Sequence, residues 1–226
     1  MGPEPITCNA HTTVSMIDPI KEFPELFPVG KPTELPLLRY IMDMIQYRID
    51  VLPESHWSPR FLRTYNHLKH QITEQIYTEL GPTRVVPSRS SNAIGIFAQP
   101  KRDELHEARS LLHCITRNLV THKDKIAMPS MEQIIDCVGS RPFRSKRDLR
   151  DGYRNIRIHA ESDKDSTICC QMGKYNSLVM QQGDCNAPAN MMRAINFQFR
   201  NIKDLIIYLY DILIANHTYE EHIKSI

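Results

Sequence analysis

No apolar run in the 226-residue chain approaches the roughly 18 residues that a membrane-crossing helix needs, and the candidate segment "DLIIYLYDILIA", residues 204–215, is cut by Asp211. A soluble protein without a membrane partner is expected. The six cysteines (Cys8, Cys114, Cys137, Cys169, Cys170 and Cys185) contain no C-x-x-C pair, and the N-terminus has no signal-peptide pattern. They read as reduced thiols of an intracellular protein, cytoplasmic or nuclear and not secreted. Neither sign of charge is in excess: 28 Lys and Arg against 26 Asp and Glu leave a net charge of +2, so the overall field argues neither for nor against a polyanionic partner. There is no G-x-x-x-x-G-K-[ST] loop, no H-E-x-x-H, no G-x-S-x-G, and no pairing of the ten histidines with cysteine at metal-ligand spacing. These absences exclude ordinary ATPase, zinc protease and serine hydrolase chemistry. No internal repeat or low-complexity tract is present.

What is present begins with a hydrophobic content of 41%, enough for a packed core. Residues 1–46 carry seven prolines (Pro3, Pro5, Pro19, Pro24, Pro28, Pro32 and Pro36) with little periodicity, the composition of a linker or extended arm. After "YRIDVLPESHW", Ser58 as N-cap and Pro59 at the first helical position predict a helix through Phe61, Tyr65, Leu68, Ile72, Ile76 and Leu80 to Gly81. "PSMEQIIDCVG" predicts a second, short helix with Ser130 as N-cap, Gln133 as capping-box partner and Gly139 past its end. The period then changes to two: "RNIRIHA", the polar turn "ESDKD" and "STICCQM" predict a hairpin. Gly173 and Lys174 punctuate the chain before "YNSLVM", and Pro188 opens a helix carrying Met191, Met192, Ile195 and Phe199. The final apolar segment suits two short strands, buried on both faces and joined at Tyr210 and Asp211. Helices mixed with antiparallel hairpins indicate an α+β fold.

Two aspartates stand in strand-like settings, Asp148 in "FRSKRDLRDGYRNIRI" and Asp211 in "IIYLYDILIA". A carboxylate among apolar neighbours is costly unless a cation compensates it. Each aspartate alone reads as a salt bridge or a turn residue. Together, two strand-borne carboxylates can converge on divalent cations, hard ions that take oxygen ligands and bring phosphates with them. Adjacent Cys169 and Cys170 would point to opposite faces of a strand and read as core packing.

These residues resemble the reverse transcriptases of gypsy-type LTR retrotransposons, from about Tyr47 to the end of the chain. "DLRDGYRNIRI" is similar to the family's Asp-Leu-x-x-Gly-Tyr-His-x-Ile-Arg-Ile, with Arg154 at the usual histidine. "MGKYNSLVMQQGDCNAPANMMRAI" resembles Gly-x-Tyr-x-x-x-Val-Met-Pro-Phe-Gly-Leu-x-Asn-Ala-Pro-Ala, with Gly183, Asn186, Ala187, Pro188 and Ala189 in register. "VVPSRSSNAIGIFAQPK" resembles the Ile-x-Pro-Ser-x-Ser-Pro strand and loop, and "YRIDV" the His-Arg-Ile-Asp-Leu at the start of the domain. "IIYLYDILIA" resembles Tyr-Leu-Asp-Asp-Ile-Leu-Ile, with Tyr210 at the first aspartate.

The resemblance implies a right-hand polymerase fold over residues 47–226, with fingers and a palm of antiparallel sheet backed by helices on one face, and with no thumb after the catalytic hairpin. It implies an RNA-directed DNA polymerase whose Asp148 and hairpin aspartates hold two Mg²⁺ ions. Its partners would be an RNA or DNA template with primer, deoxynucleoside triphosphates and the rest of a Pol polyprotein. By resemblance Tyr153 lies beneath the incoming sugar and excludes a ribose 2′-hydroxyl. Gln182 and Gly183 would border the nucleotide pocket, Arg109 would neutralise the triphosphate, and Lys101 and Arg102 would join it or be solvated charges. From Arg141 to Arg157, seven basic residues against two aspartates could meet template or primer phosphates or form a solvated face.

Several positions depart from the family pattern. Tyr210 removes a carboxylate that bridges the metals in the family, leaving Asp148 with Asp211. A phenol with a reference pKa of about 10 is neutral at pH 7 and a poor Mg²⁺ ligand. Arg147, at a usually apolar position, would destabilise the palm or ion-pair with Asp148; His113 and Ile115 stand where the family has Asp and Arg. The expected protein is a reverse transcriptase domain of low or no activity, with a non-catalytic nucleic-acid-binding fragment or a decayed relic as the alternative.

Overall fold

The structure is a computed structural model that describes Pro36 and residues 46–62, 64, 66–80, 84–100, 108–202 and 205–225. The arm expected over residues 1–46 lies outside the described residues except for Pro36 and Gln46. Helices and two sheets together give the α+β architecture.

The first sheet has five strands, β1 (Val85–Pro87), β2 (Ile94–Pro100), β3 (Ala108–His113), β5 (Thr167–Cys170) and β6 (Gly173–Ser177), in the order β1-β6-β5-β2-β3. Its pairings are antiparallel except that of β2 with β5, which is parallel and joins Ile94 to Ile168 and Gly95 to Cys169. Helix α1 (Lys69–Leu80), entered through a 3-10 turn at Asn66–Leu68, covers this sheet. Leu68, Ile72 and Ile76 pack with Trp57, Ile94, Ile96 and Ile168 in one core.

The second sheet has three strands, β4 (Phe143–Asp148), β7 (Leu205–Tyr208) and β8 (Asp211–Asn216), in the order β4-β8-β7. Helix α4 (Ala187–Gln198), with Pro188 in its first turn, packs on β7 and buries Met191, Ala194 and Ile195 against Tyr47, Ile49, Ile156, Ile158 and Met180. Two shorter helices, α2 (Ile115–Leu119) and α3 (Met131–Val138), lie between β3 and β4, and α5 (Tyr219–Ser225) follows β8. Two cores therefore stand side by side, each built around one helix.

Three sequence expectations are corrected. The helix expected from Pro59 begins only at Asn66. The segment before it lies on β2 instead: the Trp57 amide donates to Asn92 Oδ1 at 3.2 Å, the Ala98 amide to Thr64 Oγ1 at 3.2 Å, and the Arg60 carbonyl lies where a Cβ on Gly95 would be. These contacts hold the segment in a non-helical path, and Phe61 and Leu62 are exposed.

The hairpin expected between "RNIRIHA" and "STICCQM" does not form. Residues 156–158 bridge to Tyr47 and Val179, "ESDKD" lies in a 3-10 helix at Ala160–Ser166, and β5 turns back on β6. The polar run is a joint rather than a solvent turn, since Ser162, Asp165 and Ser166 are buried. Ser162 Oγ accepts from the Ile49 amide at 3.0 Å, and Ser166 Oγ donates to the Ser177 carbonyl at 2.8 Å.

The final strands do form a hairpin, but its two connecting residues are Leu209 and Tyr210, and Asp211 is already the first residue of β8. Its first strand is half-buried along its length, not enclosed on both faces. Among the described residues no helix is long and apolar enough to cross a membrane.

Candidate active site

Alternation along β4 decides what meets what. Arg144, Lys146 and Asp148 occupy the exposed face, while Phe143, Ser145 and Arg147 lie on the half-buried one. Asp148 is directly opposite Asp211 in the register of β4 with β8, so the two predicted carboxylates do come together, at one end of these strands. Like charges placed opposite one another are destabilising unless balanced. Lys146, opposite Leu213, is the diagonal neighbour that balances them: its Nζ is 3.0 Å from Asp211 Oδ1. The hydrogen bond and charge of Asp211 hold the Lys146 ammonium above its ordinary value, with Asp148 adding to the effect.

The cation that meets the carboxylates is thus Lys146 and not Arg147. Strand alternation puts Arg147 on the other face, opposite Ile212. The signal for Lys146 was available, since residues two apart on a strand share a face.

The hairpin tip is held from three sides. The Tyr210 carbonyl accepts from the Leu149 amide at 3.0 Å, and the Leu209 amide points at Met192 Sδ, 3.1 Å away. Leu209 has φ 57°, the positive value that a two-residue turn demands at its first position and that normally favours glycine. A Cβ on Gly152 would fall 2.8 Å from Met191 Cε and 3.2 Å from Tyr210 Cβ, so the glycine of "RDGY" lets the turn before Tyr153 press against both α4 and the hairpin tip. Tyr153 follows in a 3-10 turn, Gly152–Asn155, and its ring meets that of Tyr210 edge-on, with centroids 5.9 Å apart and planes at 78°. Burial pushes the Tyr153 phenol above its ordinary value, and Tyr210 adds to this. The Tyr153 ring is neutral near pH 7.

The remaining predicted residues are more dispersed. Gln182 and Gly183 lie exposed on the loop before α4. Gly183 has φ 109°, and a Cβ there would sit 3.2 Å from Cys114 Sγ, so backbone geometry and the end of β3 require glycine even without a ligand. Arg109 is exposed on β3, opposite Gln99, in the other sheet from Asp148 and Asp211. Lys101 and Arg102 lie outside the described residues. In the basic stretch, Arg141 donates to the Ala215 carbonyl at 3.0 Å, Arg144 to the Arg141 and Gly139 carbonyls, and Arg157 to the Pro36 carbonyl. These guanidinium groups tie the main chain together.

An unexpected buried ion pair supports the loop carrying Gln182 and Gly183. Arg117 on α2 pairs with Asp184, their side chains 1% and 2% exposed; Arg117 also donates to the Asp165 carbonyl at 3.0 Å. Asn118 completes the hold, donating to the Gly183 carbonyl at 2.8 Å and accepting from the Cys185 amide at 3.2 Å. Asp184 takes the leucine position of the motif quoted above, which was the only trace of this pair in the sequence. His113 is buried at the end of β3 with Nδ1 unpartnered among the described residues, and Ile115 is exposed.

Two opposed carboxylates, one already bonded to an ammonium, and a phenol are a poor donor set for two divalent ions, which need several hard, anionic oxygens between them. Among the described residues no three His, Cys, Asp or Glu side chains form a cluster that would hold a metal.

Comparisons agree with this architecture. No family model matches the chain. It is 28% identical over 184 residues to the retrovirus-related Pol polyprotein from transposon 297 of Drosophila melanogaster, covering 78% of this chain and 17% of that polyprotein. It is 22% identical over 187 residues to the transposon Tf2-3 polyprotein of Schizosaccharomyces pombe, covering 80% and 14%. The chain thus spans under a fifth of the length of these curated relatives. Among solved structures, the foamy viral protease-reverse transcriptase in complex with dsDNA matches with a TM-score of 0.73 at 17% identity over 91% of this chain and 40% of that one. The same enzyme in complex with an RNA/DNA hybrid matches with a TM-score of 0.68 at 18% identity, covering 91% and 27%. The homologues of the chain are retrotransposon Pol polyproteins, and its fold is that of these protease-reverse transcriptase structures.

Proposed function

We propose that this relative of retrotransposon Pol polyproteins is the fingers and palm of a gypsy-type reverse transcriptase, with the five-stranded sheet as fingers and the three-stranded sheet as palm. The family reaction is nucleotidyl transfer from a deoxynucleoside triphosphate to a primer 3′-hydroxyl on an RNA or DNA template. In this chain that reaction is strongly impaired. The observation that carries the reading is the register Asp148 to Asp211 with Tyr210, not a carboxylate, at the turn beside it.

The roles follow from position. Asp148 and Asp211 supply the two negative charges of the palm. Tyr153 is the floor under the incoming sugar, and its edge-on contact with Tyr210 fixes the ring. Gln182 and Gly183 border the nucleotide, on a loop held by Asn118 and the Arg117–Asp184 pair. Arg109 is the charge of the fingers that neutralises the triphosphate, a role proposed for Lys101 and Arg102 as well. The two Mg²⁺ ions that the family uses are not held as a pair here, because the donor set lacks the carboxylate they would share. The chain's partners are template-primer nucleic acid, deoxynucleoside triphosphates and the remainder of a Pol polyprotein.

A second reading, a polymerase fold that binds nucleic acid without catalysis, is favoured by the intact packing of both cores around a depleted site. Primer extension on an RNA template with Mg²⁺ separates the two, using the chain and its Tyr210→Asp variant within the Pol polyprotein. Restoring the carboxylate should raise extension on the order of 100-fold or more. Equal extension by both proteins refutes this account of Tyr210, and binding without extension by either supports the second reading.

A further inference from the structure

Lys146 stands in an unusual relation to the site. Its side chain is 62% exposed, so no packing requirement holds its ammonium at the sheet edge, yet Nζ lies 3.0 Å from an Asp211 carboxylate that is itself 33% exposed. Asp148 and Asp211 face each other, and among the described residues no third carboxylate joins them in a cluster. Two negative charges and one fixed positive charge leave a single net negative charge. We propose that Lys146 is a built-in counter-ion of the palm carboxylates, which occupies Asp211 and competes directly with any divalent cation for it. The inference rests on the reading of Asp148 and Asp211 as the palm carboxylates.

The physical logic is one of substitution. An ammonium and a divalent ion both seek the same carboxylate oxygens, but the ammonium is tethered at contact distance and is present at every cation concentration. A divalent ion binding Asp211 must first displace it, and must then tolerate a like charge next door. In a site with more carboxylates the lysine would be outweighed. With Tyr210 in place of one, it is not.

Mn²⁺ alone is the probe, titrated into the full chain and followed by the electron paramagnetic resonance signal of the free ion, so that no catalysis is needed. Lys146→Gln should bind Mn²⁺ about fivefold to tenfold more tightly than the unmodified chain, the effect expected from removing one exposed like charge at contact distance. Lys146→Arg, which keeps the charge, should match the unmodified chain, and Asp211→Asn should abolish this Mn²⁺ binding in every background. Circular dichroism of each variant confirms folding, and position 146 is exposed enough for all three residues. Equal affinity in the unmodified chain and Lys146→Gln, with binding lost in Asp211→Asn, overturns the counter-ion role and leaves the palm reading standing. If none of the proteins shows binding that depends on Asp211, the counter-ion role also falls, and the Lys146→Gln/Tyr210→Asp double variant then decides the palm reading. Binding through Asp211 in that variant keeps it, and its absence removes it.

Discussion

Tyr210 presses its ring edge-on against Tyr153 while its main chain is tied to Leu149, so replacing it changes packing as well as charge. An edge-to-face aromatic pair contributes about 0.5–1.5 kcal/mol beyond area burial. A double-mutant cycle of Tyr153→Leu and Tyr210→Leu, read from urea unfolding, should return a coupling of about that size, and additive losses would show that the rings do not interact. A second residue-scale effect concerns Asp165, whose carboxyl burial pushes upward while Lys164 and Arg117 pull it back only in part. The native state then holds this proton more tightly than the unfolded chain. The contribution to stability is fully present below the ordinary carboxylate range and is lost as pH rises through the raised native value. Asp165→Asn should therefore make the chain more stable at about pH 7 and flatten the change in denaturation midpoint between about pH 4 and pH 7; an unchanged pH profile counts against it. The Arg117 contact survives this substitution, because it goes to the main-chain carbonyl of residue 165.

Helix α3 shows what a short element needs when it has no core to lean on. None of its residues is buried, and Met131 and Ile135 are exposed. Its ends are instead closed locally: Ser130 Oγ accepts from the Gln133 amide at 3.2 Å, Gln133 Oε1 accepts from the Ser130 amide at 2.8 Å, and the Gly139 amide donates to the Ile135 carbonyl at 2.7 Å. Ser130→Ala should destabilise the helix by about 1 kcal/mol. Hydrogen exchange would show this as faster amide exchange in residues 131–138 with little change in global unfolding, whereas a uniform loss across the chain would contradict a locally held helix. The same contrast explains what could be read in the sequence. Ser130, Gln133, Gly139 and Pro188 act on neighbours within a few residues, so the elements they bound were legible. The path of residues 57–62 and the 3-10 helix at Ala160–Ser166 were not, because both are fixed by partners far along the chain: Gly95 and Asn92 for the first, Ile49, Arg117 and Ser177 for the second. In the site, Asp148 and Asp211 were legible from the motif, and alternation placed Lys146 on the face of Asp148, but its pairing with Asp211 required the register.

For the molecule as a whole, the Arg117–Asp184 pair joins α2, the Asp165 joint and the loop before α4, three pieces separated in sequence. Removing one partner of a buried pair costs about 3–5 kcal/mol because the other charge is stranded, while replacing both by apolar groups is often neutral or better. Asp184→Leu alone should thus lower stability by about that amount in chemical denaturation, and the double variant Arg117→Leu/Asp184→Leu should recover most of it. Equal losses in the single and double variants would show that Arg117 is held by its other contacts. The parallel pairing of β2 with β5 adds a consequence in time. Strand β2 is made long before β5, and the core under α1 lacks Ile168 until then. At a synthesis rate of about 5–20 residues per second, a nascent chain carries an open sheet edge and an unfinished core for several seconds.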